Sequence, residues 1–240
     1  MVRINKYLAQ CNLGSRRKVE RFVTSGRIKV NGKKMIDLAY QVDTEKDVVE
    51  FDNKQVEPSD KMIYLMMNKP KNYLTTKKDK FNRRIVYDLL PDFDMHIFSI
   101  GRLDYLSEGL LLFTSDGDFA NKIIHPRYKL SKTYKVLIKG KLSHDQIEHL
   151  RNGVMINNRK TKKAKVFVNK VKTNTSELKM IIYEGRKRQI RRMIKKIGSE
   201  VLELKRLQIG NLKLGSLPPG MWRVLKPEEV LSLRKLVVGD

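Results

Sequence analysis

Apolar residues recur at Ile4, Tyr7, Leu8 and Cys11, the i, i+3, i+4, i+7 spacing of a short amphipathic helix ending near Gly14. Ser15 then stands where an N-cap belongs, ahead of a second helix whose apolar face is Val19, Phe22 and Val23 and which closes at Gly26. At Arg27-Ile28-Lys29-Val30 the period drops to two, predicting a strand, and Asn31-Gly32 after it predicts a tight hairpin. "KQVEPSDK", residues 54–61, is polar with one proline. It reads as a linker between a first domain, residues 1–60, and a second, residues 61–240.

Behind it, strands and helices alternate irregularly, which predicts an α+β fold. "GLLLFT" (Gly109 to Thr114) is a continuous apolar run too short for a helix, hence a buried strand. "SDGD" turns the chain, and Asp118 is placed to cap a helix carrying Phe119, Ile123 and Ile124 that stops at His125-Pro126. "KTYKVLIKG" reads as a strand, and Ser143-x-x-Gln146 as a capping box opening a helix with Ile147 and Leu150 inward. "KAKVFVNKV" and "ELKMIIYEG" form a hairpin around "KTNTS"; "VLELKRLQIGNLKL" gives two strands around Gly210-Asn211, and "PEEVLSLRKLVV" a closing helix. In "EGRKRQIRRMIKKIG", Ile190, Met193, Ile194 and Ile197 make an inner helical face. Arg188, Arg192, Lys195 and Lys196 fall on the opposite side, and Arg191 on the edge of the apolar stripe.

Charge narrows the partner. Lysine and arginine number 51 against 26 acids, a net +25, which points to a polyanion. With no run of 18 apolar residues and no basic amphipathic end segment, that polyanion is nucleic acid rather than a membrane surface. Arg16, Arg17, Lys18, Arg21, Arg27 and Lys29 crowd one side of the first domain, the first of them at a helix start whose amides favour phosphate. The single cysteine, Cys11, lies on an apolar helical face and suits core packing in a reducing cytoplasm. The histidines, His96, His125, His144 and His149, lack ligand spacing, and no G-x-G occurs, so neither a metal nor a cofactor is expected.

Against this background Asp104, in "IGRLDYLSEG", is conspicuous. Most aspartates in such positions cap helices or shape turns. If Gly101 to Asp104 is extended, however, Arg102 and Asp104 share one face while Leu103 points to the other. A carboxylate at the mouth of an apolar core needs a cation or a raised pKa. A half-buried Arg191 is the best donor.

"RINKYLAQCNLGSRRKVERFVTSGRIKVNGK" resembles the S4 RNA-binding module. "NKPKNYLTT" (Asn68 to Thr76), "GRLDYLSEGLLLFTSDG" (Gly101 to Gly117), "KTYKV" (Lys132 to Val136) and "EGRKRQIRRM" (Glu184 to Met193) resemble the pseudouridine synthases of the RsuA/RluB/RluE/RluF family. The resemblance spans essentially the whole chain. It implies a small S4 domain followed by a catalytic domain with a mixed, mainly antiparallel central sheet flanked by helices. It also implies isomerisation of a uridine in ribosomal RNA without a cofactor; a monomer is expected because no self-complementary apolar patch is apparent in the sequence. Asp104 would be the catalytic residue, Tyr134 would stack on the target base and deprotonate C5, and Arg191 would pair with Asp104. Arg102, Arg188 and Leu204 would contact the substrate, and Arg16, Arg17, Lys18, Arg27 and Lys29 the RNA outside the cleft. "IIHPRYKLSKTY" and "LPPGMWRVL" resemble members acting on large-subunit 23S RNA more than those acting on the 16S RNA. Asn72 stands where the family usually has glycine; asparagine tolerates the left-handed turn that glycine would provide. Two other classes remain open on the residues alone: a non-catalytic S4 protein riding on RNA, and an S4-linked methyltransferase, which the missing G-x-G disfavours.

Overall fold

The computed structural model of the chain describes residues 1–237; the last three residues of the second predicted domain lie outside them. Two compact units result, one of Met1–Ile63 with Asp92–Phe98, the other of Tyr64–Pro91 with the chain from Ser99 on.

In the first unit the apolar spacing becomes helices α1 (Ile4–Gln10) and α2 (Arg16–Thr24). Ser15 caps α2, its Oγ accepting from the Lys18 amide at 3.3 Å. Ile4, Tyr7 and Leu8 bury against Val19, Val23 and Ile28. Cys11 packs on that core, where burial pushes its thiol up to about 12 and makes it inert at neutral pH. Strands β1 (Ile28–Val30) and β2 (Lys33–Met35) form the predicted hairpin. Asn31 and Gly32 both take positive φ, 52° and 76°, as a primed turn requires. β1 also pairs with β3 (Val49–Phe51), and β3 with β4 (Lys54–Gln55). The linker reading is therefore corrected. Lys54 and Gln55 are an exposed edge strand of this sheet, and Ser59 N–H donates to the Gln10 carbonyl at 3.1 Å.

The second unit is built on one mixed sheet. Its main elements in chain order are β5 (Tyr64–Lys69), β6 (Glu108–Thr114), α3 (Gly117–Ile124), β7 (Lys132–Lys139), α4 (His144–Asn152), β8 (Lys165–Val171), β9 (Thr175–Ile182), α5 (Gln189–Lys196), β10 (Val201–Ile209), β11 (Trp222–Val224) and α6 (Pro227–Lys235), with shorter strands at Phe98–Ile100, Met155–Ile156, Arg159–Lys160 and Leu212–Lys213, the last pairing with β10. Across the sheet the order is β8-β9-β7-β10-β6-β5-β11. Neighbours run antiparallel except β10 and β6, which are parallel and meet at Lys205 with Glu108 and Arg206 with Gly109. This contact explains one glycine. A Cβ on Gly109 would lie 2.2 Å from the Arg206 carbonyl oxygen, and its φ of +113° disfavours any other residue. Leu110, Leu111, Leu112 and Phe113 of β6 are fully buried, as their unbroken apolar run predicts.

Two local readings change. Asp116, not Asp118, caps α3, its Oδ1 accepting from the Asp118 and Phe119 amides at 3.0 and 2.9 Å. Its other oxygen takes the Tyr64 hydroxyl and the Arg234 guanidinium, so this acid ties β5, α3 and α6 together. Arg188 is the left-handed residue just ahead of α5, at φ 52°, rather than part of its outer face. The rest of α5 follows the sequence pattern, with Ile190, Met193, Ile194 and Ile197 buried.

Candidate active site

Alternation along two adjacent strands lays out the floor of a cleft. On β7, Lys132 and Tyr134 share a face; on β10, Leu204 and Arg206 share the facing positions, with Arg206 directly opposite Tyr134. The loop Gly101–Ser107 and the segment Gly185–Ile190 complete the walls of a cleft of about 390 Å³, within the roughly 300–1,000 Å³ of small-molecule pockets. Asp104, Tyr134, Leu204, Arg102 and Arg188 all line it. Tyr134 and Leu204 are nearly buried, whereas Arg102 is exposed and Asp104 half-buried at the rim. Leu103 is buried and Arg102 exposed, as the extended reading requires.

Why the loop sits there is written in "NKPKNYLTT". Thr75 Oγ1 donates to the Leu103 carbonyl at 2.9 Å, and the Asn72 amide to the Tyr105 carbonyl at 2.8 Å. Asn72 makes this turn at φ 66°, the left-handed conformation expected of it. Lys69 is completely buried behind the loop, its Nζ donating to the carbonyls of Pro70 and Ser107 at 2.8 Å and of Tyr105 at 3.4 Å. Burial pushes its ammonium down to about 8, against the opposing pull of Asp104 and Glu108.

Arg191 does not pair directly with Asp104. Its guanidinium donates to the carbonyls of Leu106 at 3.0 Å and Val201 at 3.2 Å, so it clamps the segment just after the acid. Desolvation and neighbouring Arg188 lower its pKa, and the Asp104 charge opposes them. The attraction acts through space, because half-burial on α5 leaves the planar fork two carbonyls within reach. Arg191 thus braces backbone on either side of the cleft rather than the carboxylate itself.

Three further groups escape a linear reading. Lys132 lines the cleft, its ammonium pushed down to about 8 by burial and by the charges of Arg206 and Lys162. Arg206 is buried in the wall, with Nε donating to the Leu110 carbonyl at 2.7 Å and Nη2 lacking a protein acceptor. Lys69 is the third. The only sequence signal for the first two was alternation, which puts Lys132 on the face of Tyr134 and Arg206 on the face of Leu204.

In the first unit Arg16, Arg17 and Lys18 are exposed and Lys29 half-buried. Arg27 is engaged within the unit: it pairs with Asp52 and stacks on the Phe22 and Phe51 rings, 4.8 and 4.5 Å from their centres.

A family model described as RNA pseudouridylate synthase matches residues 63–196, and one for the S4 domain matches residues 2–49. The chain belongs to the RNA pseudouridylate synthase family. It is 39% identical to an uncharacterized RNA pseudouridine synthase of Aquifex aeolicus, over 98% of this chain and 95% of that one. It is also 39% identical to ribosomal large subunit pseudouridine synthase B of Bacillus subtilis, over 98% and 97%. A crystal structure of a pseudouridylate synthase superposes with a TM-score of 0.70 at 26% identity, covering 97% of this chain and all of the other. The chain is an RNA pseudouridine synthase with an S4 RNA-binding domain and an α+β catalytic fold, as the motifs imply. An inert S4 protein and a methyltransferase are set aside by the same matches.

Proposed function

We propose that this synthase isomerises a specific uridine of large-subunit 23S ribosomal RNA, within a ribosome assembly intermediate in the cytoplasm, with Asp104 as the catalytic carboxylate. One observation carries the assignment of Asp104. Among the described residues it is the sole acid lining a cleft whose other charged walls are cations, Arg102, Lys132, Arg186, Lys187, Arg188 and Arg206. A polyanion is drawn to such a cleft, and a lone carboxylate in it opposes substrate phosphate, a cost that a catalytic role offsets. The large-subunit target is supported by the name of the Bacillus subtilis relative.

The reaction breaks the N1–C1′ bond, turns the uracil and joins C5 to the same ribose carbon. C5 loses a proton and N1 gains one, so the product is an isomer. Asp104 either attacks C1′, forming an ester that C5 later displaces, or removes the 2′ proton and returns it after a glycal. Both routes use the carboxylate form of Asp104, as nucleophile or as base. A base inside folded RNA must first be flipped out, at a cost of a few kcal/mol that stacking on Tyr134 and apolar support from Leu204 offset. Tyr134 then relays the C5 proton, its hydroxyl accepting it while passing its own proton on to solvent. Tyr134→Phe keeps the ring and removes the hydroxyl; it is expected to bind RNA within about twofold of wild type while slowing turnover roughly a hundredfold or more. Single-turnover kinetics with tritium at C5 separates the two, because a slowed proton release with normal bond isomerisation assigns the hydroxyl to that step.

Carbodiimide mapping of pseudouridine on ribosomal RNA, from a deletion strain complemented with this chain, tests the target. One large-subunit stop that appears only on complementation supports the proposal. A stop in 16S RNA instead would overturn it.

A further inference from the structure

Between Leu74 and Ile85, which form an isolated bridge with each other, the chain runs out as a ten-residue loop, Thr75–Arg84, that the proposed chemistry does not use. Its sequence, "TTKKDKFNRR", holds five cations and one aromatic ring. Phe81 is 77% exposed, a large apolar side chain that burial would ordinarily claim.

The loop is not slack. The Asp79 carboxylate accepts from the Phe81 and Arg83 amides, both at 3.1 Å, and from the Arg83 guanidinium at 3.0 and 2.7 Å. These bonds hold Asp79 well below the usual carboxylate range. Arg83, fixed in this way, lies over the Phe81 ring, 5.2 Å from its centre. The ring is therefore presented to solvent by a closed hydrogen-bonded turn, with cations on both sides.

Its location is also fixed. The base of the loop is tied to the catalytic segment by Thr75, which bonds both the carbonyl and the amide of Leu103, the residue before Asp104. Arg83 lies within electrostatic reach of Tyr105, the residue after it. An exposed ring on a rigid cationic turn beside the cleft has the composition of a single-strand binding platform, in which bases stack on aromatics while cations meet the backbone.

We propose that Thr75–Arg84 is a nucleobase-stacking arm: Phe81 packs on an unpaired base neighbouring the flipped uridine, and the exposed Lys78 and Lys80 contact the adjoining phosphates. The ring substitutes for the stacking partner that the extruded nucleotide leaves behind. Asp79 sets the ring's direction through Arg83.

Full-length Phe81→Ala, Phe81→Leu, Phe81→Tyr and Phe81→Trp proteins test this, with a fluorescein-labelled short single-stranded RNA for binding and total ribosomal RNA for activity. Phe81→Ala and Phe81→Leu should each weaken RNA binding and raise KM about tenfold with little change in kcat or melting temperature, and Phe81→Tyr should restore both. Emission of the Phe81→Trp protein should be quenched by the RNA beyond any change seen in wild type, whose sole tryptophan is Trp222. The proposal is overturned by wild-type binding and KM for Phe81→Ala. It is equally overturned if Phe81→Leu behaves as wild type, which would make the contact merely apolar, or if the Phe81→Trp emission does not respond to RNA.

Discussion

Replacing Asp104 by asparagine is expected to reduce pseudouridine formation by more than about a thousandfold while leaving RNA affinity within about twofold of wild type. The amide keeps the shape at the rim of the cleft and removes the charge, so it neither attacks C1′ nor accepts the 2′ proton. Binding survives because affinity comes from cations and stacking elsewhere. If anything it tightens slightly, since a carboxylate among phosphates is repulsive. The fold should be untouched: the side chain is half-buried, and the loop is held through backbone groups, by Thr75 on Leu103, Asn72 on Tyr105 and Lys69 on Ser107. Single-turnover assays on ribosomal RNA and a filter-binding isotherm measure the two quantities. An asparagine variant retaining a tenth of the wild-type rate would remove Asp104 from the chemistry.

Lys69→Met is expected to separate stability from activity. The native ammonium titrates near 8 instead of 10.5, so its burial destabilises the fold at neutral pH by about 3 kcal/mol. Methionine removes that penalty and also the hydrogen bonds to three carbonyls, worth about 1–3 kcal/mol in total when their loss is partly met by water. The two nearly cancel, and the melting temperature at pH 7 should move by only a few degrees. Activity should nevertheless fall roughly a hundredfold, because the loop carrying Asp104 loses its anchor and a displacement of about 1 Å is enough. The pH dependence gives a second signature. Between pH 8 and about 10 the unfolded chain holds a proton that native Lys69 has released, so stability rises with pH across that window. Lys132 adds a matching rise. Above about 9 the rise is opposed by Cys11, whose buried thiol keeps its proton in the native state only, and above about 10 Tyr64 and Tyr87, likewise raised by burial, reverse the trend. Thermal melts from pH 7 to 10 should show a clear rise for wild type and about half that rise for Lys69→Met. Equal slopes would mean that the ammonium is not desolvated.

The parts of this molecule that follow a single periodicity were legible from sequence. The inner face of α5, the buried run of β6 and the Asn31-Gly32 hairpin each rest on local spacing, and local spacing is what a sequence displays. Asp104 stood out by charge contrast alone, and the motifs around it supplied its neighbours' roles by resemblance. What stayed hidden depends on distant chain segments meeting. Nothing in "NKP" says that its lysine is enclosed, because lysine is ordinarily a surface residue and its three acceptors are backbone carbonyls, invisible in a sequence. The same reason replaced the expected Arg191 to Asp104 ion pair: the carbonyls of Leu106 and Val201 compete for the guanidinium. In "SDGD" both acids suit a cap, and the choice fell to Asp116 because only its side chain reaches the amides of the first turn. Lys54 and Gln55 were lost to polarity, since an exposed edge strand has no apolar side to announce it.

The order of strands in the catalytic sheet also sets when the enzyme becomes an enzyme. The pairings of the first unit close locally, within residues 2–55, so its strands can pair early in synthesis. The sheet beneath the cleft waits, because β6 needs β10 and β5 needs β11, partners separated by roughly a hundred residues or more. During translation the chain passes through a period in which its S4 domain is folded and cationic while Asp104 has no cleft to serve. A nascent synthase is for that interval an RNA-binding peptide, able to hold RNA and unable to change it.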